Sequence, residues 1–149
     1  MEKLPLPADF KDFLRLLNSA EVEYLLVGGY AVGHYGYPRA TGDMDIWVAA
    51  SASNAEKVAE VLRKFGFSAA TVKPEMFSKP DQIVRMGVPP VCIDVITSAT
   101  GVDFTDCYAR RNVRIIDGIR VNIIHPDDLK RNKKASGRTK DLNDLENLP

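Results

Sequence analysis

The sequence predicts an α/β (α+β) fold: a mixed β-sheet with helices packed mainly on one face and further helices at the C-terminus. Short apolar runs bounded by Gly, Pro and Asp alternate with segments whose apolar residues recur at helical spacing. This alternation gives way to several strands and then to helices, an order typical of a layered α/β domain. With 149 residues and 45% hydrophobic content, residues 1–149 are expected to form a single domain with its own core.

The first half of the chain predicts three helices and two strands. Apolar residues at helical spacing mark the first and third helices, and Gly66 is placed to end the third. Residues 69–80 contain two prolines and little periodicity, so we expect mostly loop there. In order, the predicted elements are a helix capped by Asp9, a strand over Glu23–Val27, a short helix from Gly28 to Tyr35, a strand over Asp43–Ala49 and a helix capped by Ser51 or Ser53.

The second half predicts two strand pairs, each joined by a turn, followed by helices. Asp117-Gly118 is typical of a type I′ hairpin turn. Pro126 favours the start of a terminal helical segment, which Gly137 is expected to divide in two. The predicted elements are strands over Ile83–Met86 and Val91–Thr97, a helix over about Asp103–Arg110, and hairpin strands over Val113–Ile116 and Ile119–Ile124.

The composition argues against several classes of protein. The 20 basic and 20 acidic residues cancel, so no net charge draws the chain to nucleic acid or to a membrane surface. Cys92 and Cys107 lack metal-ligand spacing and are expected to be buried, reduced thiols. The chain shows no signal segment and no apolar run of membrane-spanning length, so we expect a cytoplasmic protein without a membrane partner.

Two carboxylates in one predicted strand indicate a cation site. Side chains alternate between the faces of a strand, so Asp43 and Asp45 point the same way. Two carboxylates on one face repel each other unless a cation lies between them, and Mg²⁺ favours such oxygen ligands together with substrate phosphate. Gly28-Gly29 ends the preceding apolar run and predicts a turn where the backbone approaches a phosphate. A plain strand-to-helix turn is the alternative for this glycine pair.

These motifs resemble a known superfamily. An apolar run, Gly28-Gly29, a helix-sized gap and Asp43-Met44-Asp45 together resemble the DNA polymerase beta-like nucleotidyltransferases. Residues 35–46 resemble the Arg-x-Thr-x-Asp-x-Asp form of the small bacterial stand-alone and abortive-infection toxin-like members. The tail from Asn132 to Leu142 resembles the terminal helical region of one such subgroup. The resemblance covers the chain from about Glu21 onward.

The resemblance implies a nucleotidyltransferase fold, with Asp94 as a third carboxylate from a later strand. It implies a two-metal Mg²⁺ site, with Mn²⁺ as an alternative ion. Asp43 and Asp45 would hold the metal that accompanies the nucleotide and would share the second metal. Asp94 would complete the second metal site and orient or deprotonate the attacking hydroxyl.

Further basic and polar residues are candidates for binding the nucleotide. Arg39 is placed to grip a triphosphate and Thr41 to hydrogen-bond within the loop, although surface solubility and local turn bonding explain them equally well. Lys133 and Arg138 match the tail pattern and are candidate phosphate ligands. A solvated helix face is the alternative for this basic tail.

The resulting hypothesis is Mg²⁺-dependent transfer of NMP from an NTP, such as ATP, to a hydroxyl acceptor. The acceptor is not legible in the sequence: RNA such as tRNA, a protein side chain or a small molecule would suit the same metals. By analogy we favour a macromolecular acceptor in a defence or toxin–antitoxin setting. The alternative is a nucleotide-binding module, or a subunit that depends on a homodimer or a partner chain for its acceptor site.

Overall fold

The computed structural model describes residues 6–37, 42–68, 70–88 and 91–149. These residues form six strands, six α-helices and a short 3₁₀ helix at Pro74–Phe77. In chain order the helices and strands are α1 (Ala8–Ser19), β1 (Tyr24–Val27), α2 (Gly28–His34), β2 (Asp43–Val48), α3 (Ala52–Phe65), β3 (Ile83–Val88), β4 (Val91–Ile96), α4 (Phe104–Ala109), β5 (Asn112–Ile116), β6 (Ile119–Ile123), α5 (Pro126–Ser136) and α6 (Thr139–Asn147).

The strands form one mixed sheet in the order β3-β4-β2-β1-β6-β5. Strand β2 runs parallel to β4 and antiparallel to β1, while β1 runs parallel to β6. The two outer strands, β3 and β5, pair antiparallel with β4 and β6. The predicted α/β class with a mixed sheet is therefore confirmed, and both β2 and β4 are inner strands with a neighbouring strand on each side.

Strand β2 separates an apolar face from a polar one. Met44 and Ile46 are fully buried in the hydrophobic core, whereas the alternate residues Asp43 and Asp45 are only partly buried. Side chains of α1 and α3 belong to the same core, where the rings of Phe13 and Phe65 meet edge to face. Because successive side chains of a strand point to opposite faces, this core fixes the direction of the two carboxylates.

The first helix begins differently from the prediction, and the third begins as predicted. Asp9 does not cap α1: the helix starts at Ala8, with Pro7 at the N-cap position and Asp9 within the first turn. An acidic residue in the first turn still interacts favourably with the helix dipole, which explains the helix-start signal. At α3, the hydroxyl of Ser51 accepts a hydrogen bond from the backbone N–H of Asn54 and so acts as the N-cap.

Two predicted chain reversals are present. Asp117 and Gly118 join β5 to β6 with φ values of 50° and 80°, as a type I′ turn requires. Gly137 has a φ of 67° and separates α5 from α6. This second reversal folds the C-terminal helix back toward the preceding one, which brings their charged side chains together.

The cysteines are free and buried, as the sequence predicted. The pKa of Cys107 is raised to about 11, mainly by burial and in addition by the neighbouring Asp128 carboxylate. No helix in the described ranges is both long and apolar enough to cross a membrane.

Candidate functional site

The sheet brings the three predicted carboxylates together. Asp45 in β2 and Asp94 in β4 are directly paired in the parallel register, and Asp43 lies two residues earlier on the same face of β2. Neighbouring strands are about 4.8 Å apart. The three aspartates therefore form one cluster, here called the carboxylate cluster: Asp43, Asp45 and Asp94.

Burial and repulsion within the carboxylate cluster both act on Asp45. The pKa of Asp45 is raised to about 6, mainly by burial and in addition by the negative charges of Asp94 and Asp43. A nearby cation stabilises the ionised form of such a carboxylate, which burial and like charges otherwise disfavour. Part of that compensation comes from Lys140 and Lys133, whose positive charges act on Asp45 in the opposite direction.

The glycine turn lies directly against this cluster. Strand β1 pairs antiparallel with β2, so that Val27 is opposite Asp45 and Gly28 follows at once. Gly28 has a φ of 69°, and a Cβ on it would lie 2.1 Å from Asp45 Oδ2. The site thus requires glycine at this position for both its backbone conformation and its lack of a side chain.

A cleft of about 440 Å³ opens beside the cluster, between the sheet and the two C-terminal helices. Its walls differ in charge: Asp45 lies on the sheet side, and basic residues of the α5–α6 region lie opposite. The apolar side chains Ile83 and Ile96 line the sheet side as well. The residues that line the cleft include Gly28, Gly29, Asp45, Lys133, Arg138, Lys140 and Asp141.

The predicted phosphate ligands of the tail line this cleft but are held by aspartates. Lys133 is buried, and its Nζ lies 3.1 Å from both Asp141 Oδ1 and Asp144 Oδ2. For Lys133, the alternative of a solvated helix face is therefore wrong. Arg138 donates from Nε to Asp141 Oδ2 at 2.6 Å while most of its side chain stays exposed.

Asp141 is the centre of these tail contacts. Burial alone would raise the pKa of Asp141, but the hydrogen bonds and charges of Arg138 and Lys133 hold it below its ordinary value. Asp141 therefore stays ionised and pairs α5 with α6. Whether Lys133 and Arg138 also contact a nucleotide remains a prediction.

Lys140 is a cleft residue that the sequence did not single out. It is exposed, lines the cleft and forms no ion pair with any residue in the described ranges. Its charge acts on Asp45 across the cleft. Lys140 follows the predicted chain reversal at Gly137 by three residues, which places it near the start of α6. The sequence alone gave no reason to prefer it over the other basic residues of the tail.

Arg85 in β3 is a second residue that sequence reasoning missed. It is paired with Asp94 in the β3–β4 register, and its guanidinium donates to both carboxylate oxygens of Asp94. Counting across the predicted turn, with Met86 opposite Val91, would have placed Arg85 opposite Cys92. The strands extend two residues further into that turn, so that Val88 is opposite Val91, and this register pairs Arg85 with Asp94.

Two of the predicted site residues, Arg39 and Thr41, lie outside the described residues. For a metal, the all-oxygen donor set of Asp43 and Asp45 suits a hard cation such as Mg²⁺. Asp94 has both oxygens engaged by Arg85, and no group of three or more His, Cys, Asp or Glu side chains within the described ranges is arranged to hold a metal ion. The predicted second metal would therefore require Arg85 to move.

Solved structures share this fold. A nucleotidyltransferase structure from Thermotoga maritima superposes with a TM-score of 0.65 at 13% identity, covering 92% of this chain and 88% of that one. The lincosamide antibiotic adenylyltransferase LnuA, bound to lincomycin, gives 0.57 at 17% identity, covering 97% and 96%. An antigenic nucleotidyltransferase-like protein from Paracoccidioides brasiliensis gives 0.52 at 20% identity, covering 97% and 77%. At these identities the likeness shows a common fold.

Sequence comparison leads to a family. No functionally curated protein matches the chain. The family described as nucleotidyltransferases of unknown function (DUF6036) matches residues 8–148, which is nearly the whole chain. The match includes both the carboxylate cluster and the basic residues of the tail. The chain therefore belongs to this nucleotidyltransferase family.

Proposed function

We propose that the protein transfers NMP from an Mg²⁺-bound NTP to a hydroxyl acceptor. The observation that carries this proposal is the pairing of Asp45 with Asp94 beside a glycine that leaves no space for a side chain, at a cleft with basic residues opposite. Arg85 pairs with Asp94 and Asp43, but Asp45 accepts no hydrogen bond from it in the described structure, and the two neighbouring carboxylates still disfavour the ionised form of Asp45. A structural role for such a cluster is therefore a weaker explanation than metal binding.

Each residue of the site has a separate role in the proposed reaction. Asp43 and Asp45 would hold Mg²⁺, which when bound would neutralise charge on the phosphates. Lys140 would face the polyphosphate, and the backbone at Gly28-Gly29 would allow its close approach. Asp94 would orient the attacking hydroxyl or accept its proton.

The reaction itself exchanges one phosphorus–oxygen bond for another. The acceptor oxygen bonds to the α-phosphorus, the bond from that phosphorus to the oxygen bridging to the β-phosphate breaks, and pyrophosphate leaves with the electron pair. The hydroxyl proton passes to Asp94 or to water. Positioning and charge neutralisation supply most of the catalysis in such phosphoryl-type transfers.

The acceptor is proposed only as a class. LnuA, which shares the fold, is an adenylyltransferase of lincosamide antibiotics, so the fold accommodates small hydroxylated molecules. RNA, including tRNA, and protein side chains are the macromolecular alternatives, and we favour these in a cytoplasmic defence or toxin–antitoxin setting. A homodimer or a partner chain would then complete the acceptor site, because the two short helices α5 and α6 offer little surface of their own.

A second candidate function is nucleotide binding without transfer. The observation that favours it is the contact of Arg85 with both oxygens of Asp94, the residue that would act on the attacking hydroxyl. A protein of this kind would bind the Mg²⁺–NTP complex through Asp43 and Asp45 and leave it intact.

The test is transfer of α-labelled NTPs, each base separately, with Mg²⁺ and a cell extract. Wild type is compared with Asp45→Asn and with Asp12→Asn, which changes an exposed aspartate of α1. Products are separated into protein, RNA and small-molecule fractions. Label in one fraction with wild type and Asp12→Asn, but not with Asp45→Asn, would support transfer and identify the acceptor class. NTP binding without label in any fraction would favour the second candidate.

A further inference from the structure

Arg85 owes its place beside Asp94 to the pairing of two strands. Strands β3 and β4 are antiparallel, with Arg85 directly opposite Asp94. The guanidinium donates from Nε to Asp94 Oδ1 and from Nη2 to Asp94 Oδ2, each at 3.0 Å. This two-bond arrangement matches the planar fork of a guanidinium to the two oxygens of a carboxylate.

The same guanidinium reaches a second member of the carboxylate cluster. Its Nη2 lies 3.3 Å from Asp43 Oδ2, so Arg85 bridges Asp43 and Asp94. Asp45 is the one member of the cluster to which Arg85 makes no hydrogen bond in the described structure. The positive charge of Arg85 therefore lies where a second metal ion, shared by Asp94 and its neighbours, would otherwise be needed.

We propose that Arg85 takes the place of the second metal ion, so that the site binds a single divalent cation, on Asp43 and Asp45. This proposal rests on the proposed function. Three carboxylates carry three negative charges, and one divalent cation together with one guanidinium balances them. Arg85 is thus a positioning residue: it holds Asp94 in place, and its positive charge neutralises carboxylate charge that a second ion would otherwise neutralise.

The test counts metal ions. Mn²⁺ binding is titrated by the electron paramagnetic resonance signal of free Mn²⁺, in the presence of a mixture of the α,β-methylene analogues of ATP, GTP, CTP and UTP. Wild type is compared with Arg85→Met, which keeps most of the side-chain length without the charge. The matched control is Arg15→Met, because Arg15 forms an arginine–aspartate pair on the surface, with Asp12 at 3.3 Å. We expect one bound ion in wild type and in the control, and two in Arg85→Met.

A second variant keeps the test decisive if Arg85→Met does not fold. Arg85→Lys retains the charge but cannot form both bonds to Asp94, so a second ion should bind, more weakly than in Arg85→Met. Two ions in wild type, or a single ion in every folded Arg85 variant, would overturn the inference and leave the proposed function standing. No bound ion in any of the proteins would instead remove the proposed function, and the inference with it.

Discussion

Gly28 and Asp45 are in such close contact that the structure leaves no space for a side chain between them. A Cβ on Gly28 would lie 2.1 Å from Asp45 Oδ2. The two residues are far apart in sequence and meet because Val27 is opposite Asp45 in the antiparallel pair of β1 and β2. The glycine turn and the carboxylate therefore form one structural unit, in which a side chain added at Gly28 would displace the Asp45 carboxylate.

Replacing Gly28 with alanine should damage both folding and nucleotide binding. The φ of 69° strains any L-residue, and the new methyl group would displace the Asp45 carboxylate. We expect a loss of about 2 kcal/mol in the free energy of unfolding and at least about tenfold weaker binding of an Mg²⁺–NTP analogue, equivalent to 1.4 kcal/mol. Denaturant unfolding and calorimetric titration measure the two effects.

Gly118→Ala separates the strain from the clash. Gly118 has a similar φ of 80°, and a Cβ there would meet nothing within 4 Å. This variant should lose about 1 kcal/mol of stability and bind the nucleotide analogue as wild type does. Equal affinities in the two alanine variants would show that the Asp45 carboxylate is not part of the nucleotide site.

Asp45→Asn should stabilise the metal-free protein at neutral and alkaline pH. The pKa of Asp45 is raised from 3.8 to about 6, so folding favours its protonated form. The stability that this group contributes is therefore present below pH 4 and is lost as the pH rises through about 6. An amide avoids that loss, and we expect a gain of about 3 kcal/mol at pH 8 in EDTA, with little gain at pH 4.

Unfolding by urea at the two pH values measures this difference. Asp12→Asn is the control, since Asp12 lies on the surface of α1 in an exposed pair with Arg15, and its change should stay within about 0.5 kcal/mol at both pH values. A loss of stability in Asp45→Asn at pH 8 would mean that the ionised carboxylate supports the fold, which would contradict its assignment as a cation ligand.

The pair Asp43 and Asp45 was predictable from the sequence because its signal is local, whereas Asp94 was expected from the resemblance to the nucleotidyltransferases. Alternation along one strand puts Asp43 and Asp45 on the same face, and the apolar run around Asp94 marks a second buried strand. The contact of Arg85 with Asp94 depends instead on the register between two strands. Register is fixed by the turn and by packing across the whole sheet, and a single strand pattern does not contain it.

The tail shows a similar limit. The basic residues of α5 suggest a solvated face when α5 is considered alone, yet Lys133 is only 4% exposed. Its partners Asp141 and Asp144 lie in α6, beyond the reversal at Gly137. The burial of Lys133 follows from the way the two helices pack on each other, which helical periodicity within either one does not determine.

Lys133→Met should destabilise the protein because it removes a buried cation that pairs with two buried aspartates. Lys133 Nζ lies 3.1 Å from both Asp141 Oδ1 and Asp144 Oδ2. Removing one member of a buried ion pair costs about 3–5 kcal/mol, and we expect the lower end because Arg138 still contacts Asp141. The free energy of unfolding, measured in urea, checks this.

The neighbouring Lys134→Met is the control for Lys133. Lys134 is exposed on the same helix, so this change should stay within about 0.5 kcal/mol of wild type. If Lys133→Met weakened NTP binding but left the free energy of unfolding unchanged, Lys133 would be a nucleotide ligand and its role in joining α5 to α6 would be secondary.

Lys140→Ala should weaken nucleotide binding without affecting the fold. Lys140 is exposed in the cleft, opposite Asp45, and forms no ion pair with any residue in the part of the chain described. Removal of a cation that contacts a triphosphate should raise the Kd of an Mg²⁺–NTP analogue about tenfold, or 1.4 kcal/mol, with less effect at high salt. Stability should change by less than about 0.5 kcal/mol.

Lys64→Ala removes an exposed lysine of α3 that does not line the cleft, and its Kd should match that of wild type. Equal Kd values for the two variants, at both low and high salt, would exclude Lys140 from the polyphosphate site and leave Arg138 as the exposed basic side chain of that wall to test next.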